Sequence, residues 1–333
     1  MIFAVTPELP VPGQEARARL RDLPRTAAAH DAVLPHYPAL ALVETGGTAG
    51  AAALALPLRV AAWNLERCLF PAETAGALAG IDVALLSEMD DGMARSGQRH
   101  PTAEIAQALG MAYAYGVEFL ELGLGSPIEQ GFCRDGFNSR GFHGNALAAR
   151  SPLVRPFMLR LPGRRQWFMD EEQPRLGERM AIGATVATAA GPVVFVSTHL
   201  ESACPESHRA AQIQALIAAL DLHFPALPVL IGGDLNTGNH AGGNWRAESL
   251  FGIARAAGFS IHGGPAEAPT TRPSLITRFP ERAMKLDWFL ARRLRLGATT
   301  IHPALDAQGR PLSDHERLET TVEALEIPPP PAG

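Results

Sequence analysis

The chain has 333 residues, 47% hydrophobic and 19% charged, enough to bury a large core and inconsistent with a disordered or fibrous protein. Its net charge of −5 supplies no global attraction to nucleic acid or anionic lipid, so polyanion binding has to come from local groups. Cys68, Cys133 and Cys204 form no CxxC pair, which indicates neither a disulfide framework nor a thiolate zinc site and suits a reducing compartment.

The N-terminal stretch MIFAVTPELPVPGQEARARL lacks a basic n-region and has prolines where an apolar h-region belongs, so no secretory signal is expected. Residues 1–57, rich in Ala and Pro with a helical candidate at Gln14 to Arg21, read as an N-terminal extension without a cluster of catalytic residue types. The apolar run from Pro38 to Val60 is interrupted by Glu44, Gly46, Gly47, Gly50 and Pro57 and falls short of a membrane span. The expectation is a soluble, cytoplasmic protein with no protein partner indicated.

From Leu58 an α/β rhythm begins: strand Arg59–Leu65, helix Glu73–Ala79, strand Asp82–Ser87, helix Thr102–Leu109 and a strand near Tyr113–Leu120. Two glycine-rich or aperiodic stretches, 121–144 and about Pro162–Gly177, read as long loops, which in compact domains are usually functional. Around them come strands Ala146–Arg150, Ala181–Ala187 and Val193–Thr198, helix His208–Leu222, strand Val229–Gly233, helix Trp245–Ala257, strand Lys285–Ala291 and a last strand Glu319–Val322. Residues 58–325 thus form the expected domain, and 326–333 a Pro-rich tail.

Several strands end in polar residues that a buried strand does not need: Asn64 and Glu66, Glu88, His199, Asp234 and Asn236, Asp287, and Asp314 with His315. Gly-Gly-Asp and Asn-Thr-Gly are also ordinary turn chemistry, but repetition at so many strand ends is hard to explain as independent turns. Gathered at one edge they supply carboxylates for a hard cation, an acid set against water, and amide and imidazole donors for an anion.

In order and local context these residues resemble the endonuclease/exonuclease/phosphatase superfamily. Asn64 stands at its first-strand Asn, Glu88 at its metal-binding Glu, His199 in its THL strand, Asp234 and Asn236 in its GDLN strand, Asp287 in its LDW-type strand, and Asp314 with His315 in its SDH. Gly144-Asn145-Ala146-Leu147 resembles its GNA-type strand. The resemblance implies a four-layer α/β sandwich, two mixed β-sheets face to face flanked by helices. It implies Mg²⁺ or Mn²⁺ held by Glu88 with Asn64 and Asp314, and Glu66 as a second ligand or a salt-bridge partner of an arginine such as Arg67. Asp234 would prepare the attacking water, Asn236 and His199 would donate to phosphate oxygens, and Asp287 would keep His315 protonated. Asn145 and its neighbour His143 are expected at the substrate, and Arg179 either reaches the site or pairs with Glu178.

The implied activity is divalent-metal-dependent hydrolysis of a phosphodiester or phosphomonoester. Arg134, Arg140, Arg164, Arg165 and Arg175 in the two long loops are balanced by Glu129, Asp135, Asp170, Glu171 and Glu172. A small-molecule or lipid-headgroup substrate is therefore placed ahead of nucleic acid. Phe132, Phe137, Phe142, Trp167 and Phe168 keep a nuclease as the alternative, and a non-catalytic binding module on the same fold is the alternative of another class.

Overall fold

The strand Leu58–Arg67 sets the layering. Leu58, Val60 and Ala62 enter one apolar cluster while Ala61, Trp63 and Leu65 enter another, as the two-residue period of an extended chain requires. A strand apolar on both faces needs cover on both, and here a second sheet lies on one side and helices on the other. The computed structural model describes residues 1–326, so the expected tail lies, beyond Glu326, outside the described residues.

The larger, ten-stranded sheet runs Val5–Thr6, Val43–Gly47, Ala112–Glu121, Phe142–Ala149, Val83–Asp91, Leu58–Arg67, Arg317–Leu325 and Leu294–Leu296, with Arg175–Gly177 and Thr300–His302 paired alongside. The smaller, six-stranded sheet runs Ser260–His262, Asp287–Arg292, Val229–Asp234, Gly191–His199, Met180–Thr188 and Leu153–Arg160. Both mix parallel and antiparallel pairs. Val60, Leu85 and Leu147 of the larger sheet meet Phe195, Leu230 and Phe289 of the smaller, each side chain contributing roughly 1.5–3 kcal/mol by burial. Helices Pro71–Ala77 and Pro101–Leu109 cover the outer face of the larger sheet through Ala75, Ile105 and Ala106. Helices Glu206–His223 and Leu250–Ala256 cover the smaller through Ile213, Leu216, Leu220, Phe251 and Ala254. This is the four-layer α/β sandwich expected.

Residues 1–57 add Val5–Thr6 and Val43–Gly47 to the edge of the larger sheet and bury Leu9, Leu20, Tyr37 and Leu40 in its helix-side cluster. The helix expected over Trp245–Ala257 is broken into a 3₁₀ turn, Trp245–Ala247, and Leu250–Ala256. The break frees Glu248 to accept from Arg209 Nε at 3.2 Å and from the Gly238 amide at 2.8 Å. No helix of the described residues is long and apolar enough to cross a membrane.

Candidate active site

Strand direction explains why the polar strand ends meet. Asn64 lies near the end of a strand parallel to the one carrying Glu88, opposite Ser87 and just before the pairing slips, and His199 and Asp234 end a second parallel pair in direct register. Asp287 opens an antiparallel strand opposite Asp234, and His315 precedes the antiparallel strand whose Leu318 faces Ala62. The end of one strand and the start of its antiparallel neighbour share an edge, so all of these side chains converge. A bulge aims Glu88: pairing slips between Leu86 and Met89, and Glu88 takes φ 55°. Gly233, at φ 144°, is fixed by sterics, because a Cβ there would stand 2.0 Å from the Thr198 carbonyl oxygen.

The result is a cleft of about 210 Å³ lined by Glu88, Arg179, His199, Asp234, Asn236, Asp314 and His315 among others. Asn64 Nδ2 donates to Glu88 Oε1 and to Asp234 Oδ2, 3.1 Å from each. The Asn236 amide donates to Asp234 Oδ1 at 2.8 Å, and Asn236 Nδ2 to the Leu200 carbonyl at 2.9 Å. His315 Nδ1 lies 2.8 Å from Asp287 Oδ2, and its Nε2 3.6 Å from Asp234 Oδ2. Burial opposes charge on this ring, but Asp287, Asp234 and Asp314 outweigh it and hold His315 well above the usual imidazole range. His199 behaves oppositely: burial and the Arg179 guanidinium push it well below that range. Arg179 NH1 lies 2.8 Å from His199 Nδ1 and 3.2 Å from Nε2, so the guanidinium favours a lone pair on the nearer Nδ1 and the proton on Nε2, which is 3.5 Å from Asp234 Oδ2.

The carboxylates diverge as well. Burial pushes Asp234 up to about 7 against the pull of His315. Burial raises Glu88 too, but its side chain is 19% exposed against 2% for Asp234, and Arg67, His199, His143 and Asn64 together hold it well below the carboxylate range. Burial and the charge of Glu88 raise Asp314, while burial and Asp314 raise Glu66 to about 7.

Several of the expected residues have further partners. Glu66 Oε1 accepts from Ser274 Oγ and Thr277 Oγ1, each at 2.7 Å, and from the Thr277 amide at 3.0 Å, so it anchors a loop and does not pair with Arg67. Arg67 instead pairs with Glu88 and, at 2.8 Å, with Glu129. Asn145 lies outside the cleft, donating to the Met180 carbonyl at 3.0 Å between the sheets. His143 sits behind Glu88, bonded to Asp90 at 2.9 Å and 4.0 Å from Glu88. Arg179 does line the cleft, but its partners are Glu118 at 2.5 Å and Glu201 at 3.5 Å, whereas Glu178 turns to Arg165. Sequence reading gave Glu66 as the partner of Arg67 and missed Glu118, Glu201 and the cleft-lining Ser202, Asn239, Arg272 and Arg282. A signal existed for Glu118, a charge inside the apolar run YGVEFL, and for Glu201, which directly follows Thr198-His199-Leu200.

Asp234, Asp287 and His315 bring metal-ligand atom types within 4.8 Å of one another. The short Asp287–His315 hydrogen bond accounts for that convergence, and a ring held protonated offers no lone pair to a cation.

A model of the Endonuclease/Exonuclease/phosphatase family matches residues 15–315. No curated protein sequence matches the chain. Among solved structures, an endonuclease/exonuclease/phosphatase from Beutenbergia cavernae is 18% identical at a TM-score of 0.59, covering 81% of this chain and 72% of its own. The human Nocturnin catalytic domain with bound sulfate anion is 16% identical at 0.55, covering 84% and 96%. Truncated TDP2 from Caenorhabditis elegans is 15% identical at 0.51, covering 81% and 98%. Likeness at these identities establishes the fold.

Proposed function

The chain belongs to the endonuclease/exonuclease/phosphatase family, and on that premise we propose that it is a divalent-metal-dependent phosphoric ester hydrolase in which water attacks phosphorus. One observation carries the reading: a single amide nitrogen, Asn64 Nδ2, joins a carboxylate held ionised, Glu88, to one poised near neutrality, Asp234. A purely structural pair has no need of that difference.

The donors fit a hard cation. Glu88 and Asp314 offer oxygen ligands, and burial with the added charge of Glu88 raises the Asp314 carboxyl, a cost that a divalent ion bound between them would relieve, so Mg²⁺ or Mn²⁺ suits the site better than zinc. Once bound, such an ion supplies positive charge to the phosphate oxygens. Asn64 presents its Nδ2 to the carboxylates while its Oδ1 accepts from the Glu66 amide at 3.1 Å, so its part is to orient Glu88 and Asp234. Glu66, saturated at Oε1 by the loop, is a support for the ligands.

The remaining steps belong to the side chains. Asp234, near 7, takes the proton of the attacking water, because a general base works best when its pKa lies close to the working pH. Protonated His315 and the Nε2–H of His199 donate to the phosphate oxygens as charge accumulates there, with Asn236 alongside. Arg179 sets the His199 tautomer from behind. The catalytic residues all fall within 58–325, which leaves 1–57 a supporting role. The free cysteines accord with a cytoplasmic setting.

The cleft volume, about 210 Å³, and the balanced charge of the two long loops favour a small-molecule or headgroup phosphoester over a long nucleic acid. A panel of phosphodiesters, phosphomonoesters, lipids and oligonucleotides assayed with Mg²⁺, Mn²⁺ and EDTA decides the matter. Metal-dependent release of phosphate or an alcohol from at least one class is expected; binding without turnover across the panel would indicate a binding module.

A further inference from the structure

The helix Gln14–Asp22 fully buries one side chain, Leu20. Ala16, Arg19, Leu20 and, just past its end, Leu23 follow one another at spacings of three and four, which sets them on one side of the helix. That side borders a cavity of about 460 Å³. Pro38, Ala39 and Leu40 of the turn Pro38–Ala41 also line it, as do Leu120 and Phe142, which oppose each other on neighbouring strands of the larger sheet. All its lining residues except Leu120 and Phe142 come from 1–57, and none of them lines the catalytic cleft. The N-terminal extension thus encloses a second cavity, larger than the cleft.

The lining is sorted by polarity. Its buried members, Leu20, Tyr37, Ala39, Leu40, Leu120 and Phe142, are apolar apart from the Tyr37 hydroxyl, which donates to the Ala16 carbonyl at 3.0 Å. Its exposed members include Val11, Arg19 and His36, and no carboxylate lines it among the described residues. Burial raises the Tyr37 hydroxyl while the Arg19 charge opposes the rise, so the guanidinium acts on the cavity wall. Its ion-pair partner, Glu15, lies 3.7 Å away and is almost fully exposed, a loose surface pair that a bound anion readily displaces.

We propose that this cavity binds a free aliphatic carboxylate, its chain against Leu20, Leu40, Leu120 and Phe142 and its carboxylate at the mouth beside Arg19. The site goes beyond the hydrolase reading and stands whether or not the cleft turns over a phosphoester. Its volume falls within the roughly 300–1,000 Å³ of sites that enclose a small ligand, and an apolar body with one convergent charge is how such sites fix orientation. An apolar floor under a cationic mouth without acids is complementary to an anionic amphiphile and opposed to a cationic one. A polar ligand such as a nucleotide would meet no free donor or acceptor among the buried side chains. A membrane is less well served, because Val11 is the one large apolar side chain of the lining that is exposed and lasting attachment takes a second signal.

Isothermal titration calorimetry of the full chain with decanoate, decanol and decyltrimethylammonium, each kept below its micelle threshold, tests the proposal. Decanoate should bind saturably at one site and raise the melting temperature, and the neutral and cationic analogues should bind at least about tenfold more weakly, the scale of one charge-assisted contact. Shortening the acid should weaken binding about fourfold for each methylene removed. Arg19→Gln should cost decanoate about tenfold and leave decanol unchanged. Ala16→Trp, which puts a large side chain into the cavity, should weaken both ligands by at least about tenfold while circular dichroism reports a folded protein. Arg19→Gln alters an exposed side chain and carries the test by itself if the tryptophan variant does not fold. Equal affinity for decanoate and decanol in the parent overturns the proposal, as does decanoate binding that is unaltered in Arg19→Gln. So does binding to phosphatidylcholine–phosphatidylglycerol vesicles by a protein that takes up no monomeric decanoate, which would make the cavity a membrane contact.

Discussion

The two poles of the cleft differ more than their shared residue type suggests. Glu88, from the larger sheet and partly exposed, and Asp234, from the smaller and buried, both accept from Asn64 Nδ2 at 3.1 Å. One is held ionised and the other sits near neutrality. Burial and neighbours decide together: burial raises Asp234, which must also share His315 with Asp287 and feels that second carboxylate as repulsion, whereas the Arg67 guanidinium lies on the more exposed Glu88. The same chemical group thus becomes a fixed anion on one sheet and a proton acceptor on the other.

Breaking the comparison at the Asp234 pole should have the largest effect. Asp234→Asn keeps the shape and removes the proton acceptor, so kcat should fall by roughly 10² to 10⁴ with substrate binding retained. Single-turnover rates and equilibrium binding check this, and a fall under about tenfold would move the role to another residue. The Glu88 pole shows itself in acid stability. Arg67 also pairs with Glu129, which burial would raise but Arg67 and Arg95 hold down to about 2. A folded-state value below the unfolded one gives stability that is present above the ordinary range and lost as pH falls from about 4.5 toward about 2. Denaturant unfolding should lose at most about 3 kcal/mol across that window, and Glu129→Gln should flatten the loss.

The smallest effect, and the sharpest test of the Asp234 pole, concerns His315. Asp287 raises its pKa, so the protonated ring survives to higher pH; Asp287→Asn should move the alkaline limb of the pH–rate profile toward acid. In a cycle with His315→Gln, the double variant should cost scarcely more than the worse single one. Simple addition, with an unmoved limb, would mean that the pair does not act as a unit.

The floor of the cleft was legible in the sequence because its residues lie at or near the ends of apolar strands, where a carboxylate or imidazole has no packing purpose. Val229–Asp234 shows this best: an aliphatic run stops on Gly-Gly-Asp. What lies behind and around the floor was less legible. Arg67 and Arg179 pair with Glu129 and Glu201, partners distant in sequence or hidden within loops, and no local pattern announces such pairs. Glu66 looked like a ligand because it follows Asn64 by two positions. Its left-handed φ of 41° and a bulge after Asn64 turn it instead toward Ser274 and Thr277. The strand Leu153–Arg160 escaped notice because Arg155 and Pro156 interrupt its alternation at a second bulge. The 270–284 loop went unmarked for want of glycines, although its surplus of arginine was in plain view.

The claim that the two carboxylates play opposite parts can be tested before any substrate is known, by titrating Mn²⁺ into the parent, Glu88→Gln and Asp234→Asn proteins and following free ion by electron paramagnetic resonance. The account predicts that Asp234→Asn binds Mn²⁺ within about threefold of the parent, while Glu88→Gln, with its melting temperature nearly kept, binds at least about tenfold more weakly, a loss of roughly 1.4 kcal/mol or more. Equal binding by Glu88→Gln and the parent, with the loss appearing in Asp234→Asn instead, would contradict it.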